Sequence, residues 1–135
     1  MLALVRDAGL AGRVVIDSAG TGPWHAGELP DARARAAAAK RGLDLSSRAR
    51  QLSRDDFDRF DLIVVMDDLN LRHVNLMAGK RSTPEIRLLR SFDPKSPPNA
   101  HVPDPYAGGE DGFEHVLDLC ERACEGLLAY VKTKL

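Results

Sequence analysis

Three segments of the chain hold the residues best suited to chemistry. Asp104 lies between Pro103 and Pro105 and is followed by Tyr106. The two prolines restrict the backbone around a short carboxylate and so help to aim it, although Asp-Pro taken alone is a turn signal. Trp24, the one tryptophan, stands among Gly22, Pro23 and Gly27. An indole exposed in such a loop is a flat platform for stacking a ring, with ordinary loop packing as the competing reading. Ser18 opens this same stretch, which runs to Pro30 and is rich in Gly, Pro and Thr. Asp67 and Asp68 follow an apolar run, where carboxylates suit the open N–H groups and positive dipole end of a helix. The two cysteines, Cys120 and Cys124, are four apart in a helical pattern and point to one apolar face. They read as small core residues. The pair has too few companions for a metal site, and neither a metal, a disulfide nor a cofactor is expected.

Those segments need a scaffold to position them. Met1, Leu4, Val5 and Ala8 recur at helical spacing, with Gly9 as a stop. Arg13 to Asp17 contains Val14-Val15-Ile16 and reads as a buried strand. Asp31 to Arg41 is Ala-rich and helical, closed by Gly42. Ser53-Arg54-Asp55-Asp56 has the form of a helix-start box with Ser53 as cap. The continuous apolar run Leu62 to Met66 predicts a strand covered on both faces. Asp67-Asp68 starts another helix, and Ile86 to Leu89 offers a third strand. Asp93 to Gly112 holds five of the eight prolines and reads as a long loop. From Phe113 to Val131 the apolar residues trace an amphipathic terminal helix. The helix at Met1 is in phase from its first residue with no cap, so the sequence reads as a domain cut inside its first helix, with a short native N-terminal helix as the competing reading.

Alternating strands and helices imply an α/β domain with a parallel sheet and helices on both faces. Ligands in such folds bind beyond the carboxyl ends of the strands. Ser18 to His25, Asp67 onward and the Pro-rich loop all fall there.

The bulk numbers narrow the class. A length of 135 residues fits one domain. Hydrophobic residues make up 44% and charged residues 29%, a globular balance. The net charge of −1 provides no field for nucleic acid or acidic membrane. The mildly basic stretch Arg33 to Arg50 reads as a solvated face. No apolar run reaches the ~18 residues of a membrane helix, and no signal peptide is present, so a cytoplasmic location is expected.

Taken in order, the motifs form a set. Asp17-Ser18-Ala19-Gly20-Thr21 is followed by Trp24-His25-x-Gly27 and Pro30-Asp31. Arg50-Gln51-Leu52, Asp56-Phe57, Phe60-Asp61, Met66-Asp67 and Asn70-Leu71 come next. Leu88-Leu89, Phe92-Asp93-Pro94 and Asp104-Pro105-Tyr106 close the series. The whole chain, residues 1–135, resembles a single domain of the low-molecular-weight protein tyrosine phosphatase family. The resemblance implies a three-layer α/β sandwich with a four-stranded parallel sheet of order 2-1-3-4. It also implies hydrolysis of phosphotyrosine proteins or small aryl phosphates through a cysteinyl-phosphate. In that family a Cys-x5-Arg loop supplies the thiolate and cradles the phosphoryl oxygens. By the same resemblance Asp104 is the general acid, Trp24 and Tyr106 line the substrate cleft, and Ser18 and Asp67 support the phosphate loop.

The chain departs from the pattern. Six positions after Cys120 stands Gly126, and six after Cys124 stands Tyr130, so no Cys-x5-Arg occurs and neither the nucleophile nor the loop arginine is present. Ser47 occupies a position where many relatives carry a histidine near the supporting aspartate. Ala107 follows Tyr106 where some relatives have a second tyrosine. Arg13 to Asp17 would be strand two and Leu62 to Met66 strand three. Without the strand between them a gap of nearly ~10 Å would open. The expectation is therefore that the 135 residues alone are inactive and do not hold the family fold stably. Two other functions share these features: an arsenate reductase of the same fold, which would need further redox cysteines, and a non-catalytic phosphatase remnant acting as a binding module.

Overall fold

The run Leu62-Ile63-Val64-Val65 supplies β-branched and apolar side chains, which suit a pleated and half-buried surface. It forms β1 (Leu62–Val65). β2 (Glu85–Leu88) pairs with it in parallel, in register from Leu62↔Glu85 to Val65↔Leu88. Alternation along β1 sends neighbouring side chains to opposite faces. Leu62 and Val64 pack against a core of Leu89, Phe92, Val102, Ala123 and Leu127. Ile63 joins the second core, of Phe57, Val65, Val74 and Ala78. The first core is centred on α5 (Glu110–Lys132), and the second on α3 (Asp56–Arg59) and α4 (Asp68–Ala78). The result is a helix–sheet–helix layering. In this computed structural model the described residues are 1–105 and 110–135, without the side chains of Glu110 and Asp111.

The α5 face is the larger. Ala123 is fully buried, and Leu119 and Leu127 lie under the surface beside it. A 3-10 turn (Leu89–Phe92) follows β2 directly and lies against α5. Their contact is close enough that a Cβ on Gly126 would fall 1.8 Å from the Phe92 carbonyl oxygen. Only a residue without a side chain fits there. α1 (Leu2–Asp7) buries Val5 and touches α5, and Met1 packs on the same core. α2 (Ala32–Ala39), capped by Asp31, buries Ala37 and Ala38 on its α5 side. Beyond it Arg41 reaches Glu114 at 2.6 Å, Asp118 at 2.9 Å and Glu121 at 3.3 Å, so one guanidinium clips α2 to three carboxylates along α5.

Several expectations are corrected. Arg13 to Asp17 forms no strand: none of its residues takes part in a ladder among the described residues, and Val15 is 79% exposed. A β-branched run becomes a strand only when a neighbour accepts its backbone hydrogen bonds. The sheet among the described residues has two strands rather than four, supplemented by an isolated parallel bridge between Gly20 and Gln51. β1 is less covered than its continuous apolar run predicts: Val65 is buried, and Leu62, Ile63 and Val64 are half-buried. β2 begins one residue early and ends at Leu88, because Leu89 enters the 3-10 turn. Ser53 does not cap α3. Asp55 holds that position, and the Asp56 carboxylate instead accepts the Ser53 N–H at 2.8 Å. The Pro-rich loop is shorter than expected, since α5 starts at Glu110. The helix stops at Gly9 and Gly42 are as read, both with φ of +72°.

Candidate active site

The Trp24 loop is an excursion latched at its base. The Gly20 N–H donates to Arg50 O and the Leu52 N–H donates to Gly20 O, each at 2.8 Å. On the other limb the Gly27 N–H donates to Ala49 O at 2.7 Å and the Ala49 N–H to Glu28 O at 2.8 Å. Between these stalks the Trp24 ring lies over Gly22, where a Cβ would come within 1.7 Å of the indole. With Gly22 beneath it, Trp24 stands 79% exposed. His25 Nδ1 and Glu28 Oε2 pair at 2.8 Å on the same loop. Gly20, Thr21, Gly22, Trp24 and Arg50, together with Asn70 of α4, line a cleft of about 320 Å³.

The second latch is ionic. Arg50 donates from Nη1 and Nη2 to the two Asp56 oxygens at 3.0 and 2.9 Å, and from Nε to Asp17 Oδ2 at 3.1 Å. Asp17 Oδ1 accepts the N–H of Ser18 at 2.8 Å. Asp56 is 2% exposed. The guanidinium fork, with the Ser53 N–H, holds its carboxyl below the ordinary aspartate range, and in turn Asp56 raises Arg50. A planar fork on a carboxylate fixes direction as well as charge. Arg50 thereby ties the segment bearing Ser18 and the Trp24 loop to the start of α3.

At the carboxyl end of β1, Asp67 caps α4: its Oδ1 accepts the N–H of Asn70 at 2.8 Å. Asn70 Oδ1 in turn accepts the N–H of Met66 at 3.3 Å. The same Met66 accepts the N–H of Val102 on its carbonyl at 2.8 Å, and Val102 is buried. Asp104, two residues further on, is exposed. The loop's other end is anchored by Asp93, which is 5% exposed. Its carboxylate accepts from Lys95 N–H at 2.9 Å, Ser96 Oγ at 3.0 Å and Arg122 Nε at 3.2 Å. The Lys95 N–H and these partners hold its carboxyl below the usual range.

Of the residues singled out from the sequence, Trp24, Asp67 and Asp104 stand on segments that converge at the carboxyl end of β1. Trp24 is linked there through the cleft it shares with Asn70, and Asp104 through Val102 and Met66. Ser18 is exposed on the segment held by Arg50. Tyr106 lies outside the described residues, as does Ala107. The two cysteines are half-buried on α5 and packed against its core, as read. Burial pushes Cys120 up to about 11 and raises Cys124 as well. No group of three or more potential metal ligands is found among the described residues. No helix among them is long and apolar enough to cross a membrane.

Arg50, Asn70 and Asp93 stood in the sequence motifs without a role, and Asp56 only as part of a helix-start box. Their signal was weak, because an arginine six residues before an aspartate is an ordinary spacing. Only the fold turns Arg50 toward both Asp17 and Asp56.

Comparison with known proteins agrees across the full chain. Residues 1–135 match the family described as low molecular weight phosphotyrosine protein phosphatase. A low molecular weight protein-tyrosine-phosphatase of Streptomyces coelicolor is 46% identical over 135 residues, covering 98% of this chain and 82% of that protein. The protein tyrosine phosphatase of Entamoeba histolytica, solved with Hepes in its active site, superposes with a TM-score of 0.91 at 32% identity, covering 99% of this chain and 86% of that one. A Drosophila arginine phosphatase superposes with a TM-score of 0.86 at 30% identity, covering 96% and 84%. The chain belongs to the low molecular weight phosphotyrosine protein phosphatase family.

Proposed function

We propose that this domain serves the hydrolysis of phosphotyrosine through a cysteinyl-phosphate, with Asp104 donating the proton to the leaving phenolate and then activating water. Trp24 and Tyr106 line the cleft for the aryl ring, Ser18 and Asp67 support the phosphate loop, and no metal or cofactor takes part. The observation that carries this reading is the Val102 N–H bond to Met66 O at 2.8 Å. It ties the stretch bearing Asp104 to the strand end where Asn70 and Trp24 share a cleft.

The nucleophile is neither cysteine of this chain. No Cys-x5-Arg occurs in the 135 residues. A thiol pushed up to about 11 on a half-buried helix face is the reverse of an activated thiolate. The 135 residues alone should not turn over p-nitrophenyl phosphate. The same chain with ~20–25 residues carrying a strand and a Cys-x5-Arg loop supplied ahead of Met1 should do so, that length being a strand, a loop and the first helical turns. Turnover by the 135-residue form would overturn the reading. Phosphoarginine is the comparator substrate, because one relative is an arginine phosphatase. Preference for it over phosphotyrosine would move the assignment within the family.

A further inference from the structure

The stretch Asp93 to Pro105 carries five prolines, at 94, 97, 98, 103 and 105. Each lacks an N–H, so the stretch has few donors with which to pin itself. Its backbone bonds among the described residues are Asp93 N–H to Arg90 O, Ser96 N–H to Asp93 O, Ala100 N–H to Pro97 O and Val102 N–H to Met66 O. It also reverses at Asn99, whose φ of 58° is the left-handed region. Such a loop needs donors from outside if its carboxylate is to stay aimed.

Arg90 is placed to provide them. It sits in the 3-10 turn between Leu89 and Phe92, which are 3% and 8% exposed, so its backbone is held by the α5 core. Its guanidinium spans the loop. Nε donates to Ser96 Oγ at 3.2 Å on the outgoing limb, and Nη1 donates to His101 O at 2.7 Å on the returning limb. The Ser96 Oγ–H donates to Asp93 Oδ2 at 3.0 Å, and the same carboxylate accepts from Arg122 Nε of α5 at 3.2 Å. A continuous chain of bonds thus runs from α5 through Asp93, Ser96 and Arg90 to the carbonyl three residues before Asp104.

We propose that Arg90 is the positioning residue for Asp104: its two-armed bridge between Ser96 and His101 holds the Pro-rich loop in the shape that presents the carboxylate. This rests on the proposed role of Asp104 as proton donor. A lysine, with one compact charge, cannot reach both limbs in the same fixed geometry.

Two measurements test it separately. In the form carrying the upstream strand and Cys-x5-Arg loop, amide exchange read by mass spectrometry should rise about tenfold or more over residues 99–104 in R90A, as expected on losing charge-assisted bonds, while α5 keeps its protection. R90K should fall between. Unchanged exchange at 99–104 in R90A overturns the bridge. In the form carrying a Cys-x5-Arg loop, R90A should lower kcat with KM held. It should also slow phenyl phosphate more than p-nitrophenyl phosphate, because poor leaving groups depend most on the proton donor. D104N should give the same pattern, and the double variant should lose little more than D104N. Equal slowing of both substrates, or losses that add, overturns action through Asp104. If D104N leaves kcat unchanged, the role of Asp104 falls, and the exchange result alone then decides whether Arg90 shapes the loop.

Discussion

Gly126 offers a sharp test of how α5 meets the 3-10 turn that opens the Pro-rich loop. An alanine in the interior of a helix is ordinarily worth about 1 kcal/mol over glycine. Here the added Cβ would lie 1.8 Å from the Phe92 carbonyl oxygen and 2.8 Å from its carbon. The closest ordinary approach of carbon to carbonyl oxygen is about 3.3 Å, so helix or turn must retreat by roughly 1.5 Å. The obstacle is backbone, and Leu89, Phe92, Ala123 and Leu127 share that interface, so the displacement loosens one continuous core. Overpacking costs about 1–3 kcal/mol, and a backbone clash belongs at the upper end. Net of the helix gain, G126A should destabilise by about 2 kcal/mol, a fall of roughly 6–8 °C in the midpoint for a chain of this size. Gly112 is the internal control, on the same helix. Its Cβ would meet Pro105 Cβ at 3.6 Å, an ordinary contact. G112A should hold or raise the midpoint by up to about 3 °C. The assay is loss of helical circular dichroism on heating the form that carries the upstream strand and Cys-x5-Arg loop. A G126A midpoint at or above the parent, or an equal fall in G112A, would refute the packing argument.

Acid should weaken the fold through Asp56 and Asp93. Both carboxyls are held below their unfolded value, about 3.9, so their contribution is present above roughly pH 4 and lost as pH falls through the depressed folded values. D56N should therefore show a lower urea midpoint at neutral pH and a flatter decline from pH 5 downward; an unchanged acid slope would contradict the Arg50 fork. The cysteines should resist alkylation. With Cys120 pushed up to about 11, its thiolate fraction at pH 8 is about two orders of magnitude below that of an ordinary thiol. Iodoacetamide labelling of the native chain should be slower by a comparable factor and should recover in denaturant. Fast labelling would place the cysteines outside the α5 core.

The elements that depend on local pattern were readable in the sequence. Helix ends at Gly9 and Gly42, the Asp67 cap and the α5 stripe follow from backbone sterics, capping chemistry and a period of 3.6, all of which act within a few residues. The ordered motifs also carried the family, because they sample the whole length. What the sequence could not decide was partnership over distance. Val14-Val15-Ile16 has the composition of a strand, yet whether it is one depends on a neighbouring backbone to accept its hydrogen bonds, and no local signal reports that. Nor does anything near residue 50 announce that Arg50 reaches both Asp17 and Asp56, or anything near residue 90 that Arg90 spans both limbs of the Pro-rich loop. Those bonds join groups 6 to 33 residues apart. They exist only once β1, α3 and α5 have packed and brought the ends together.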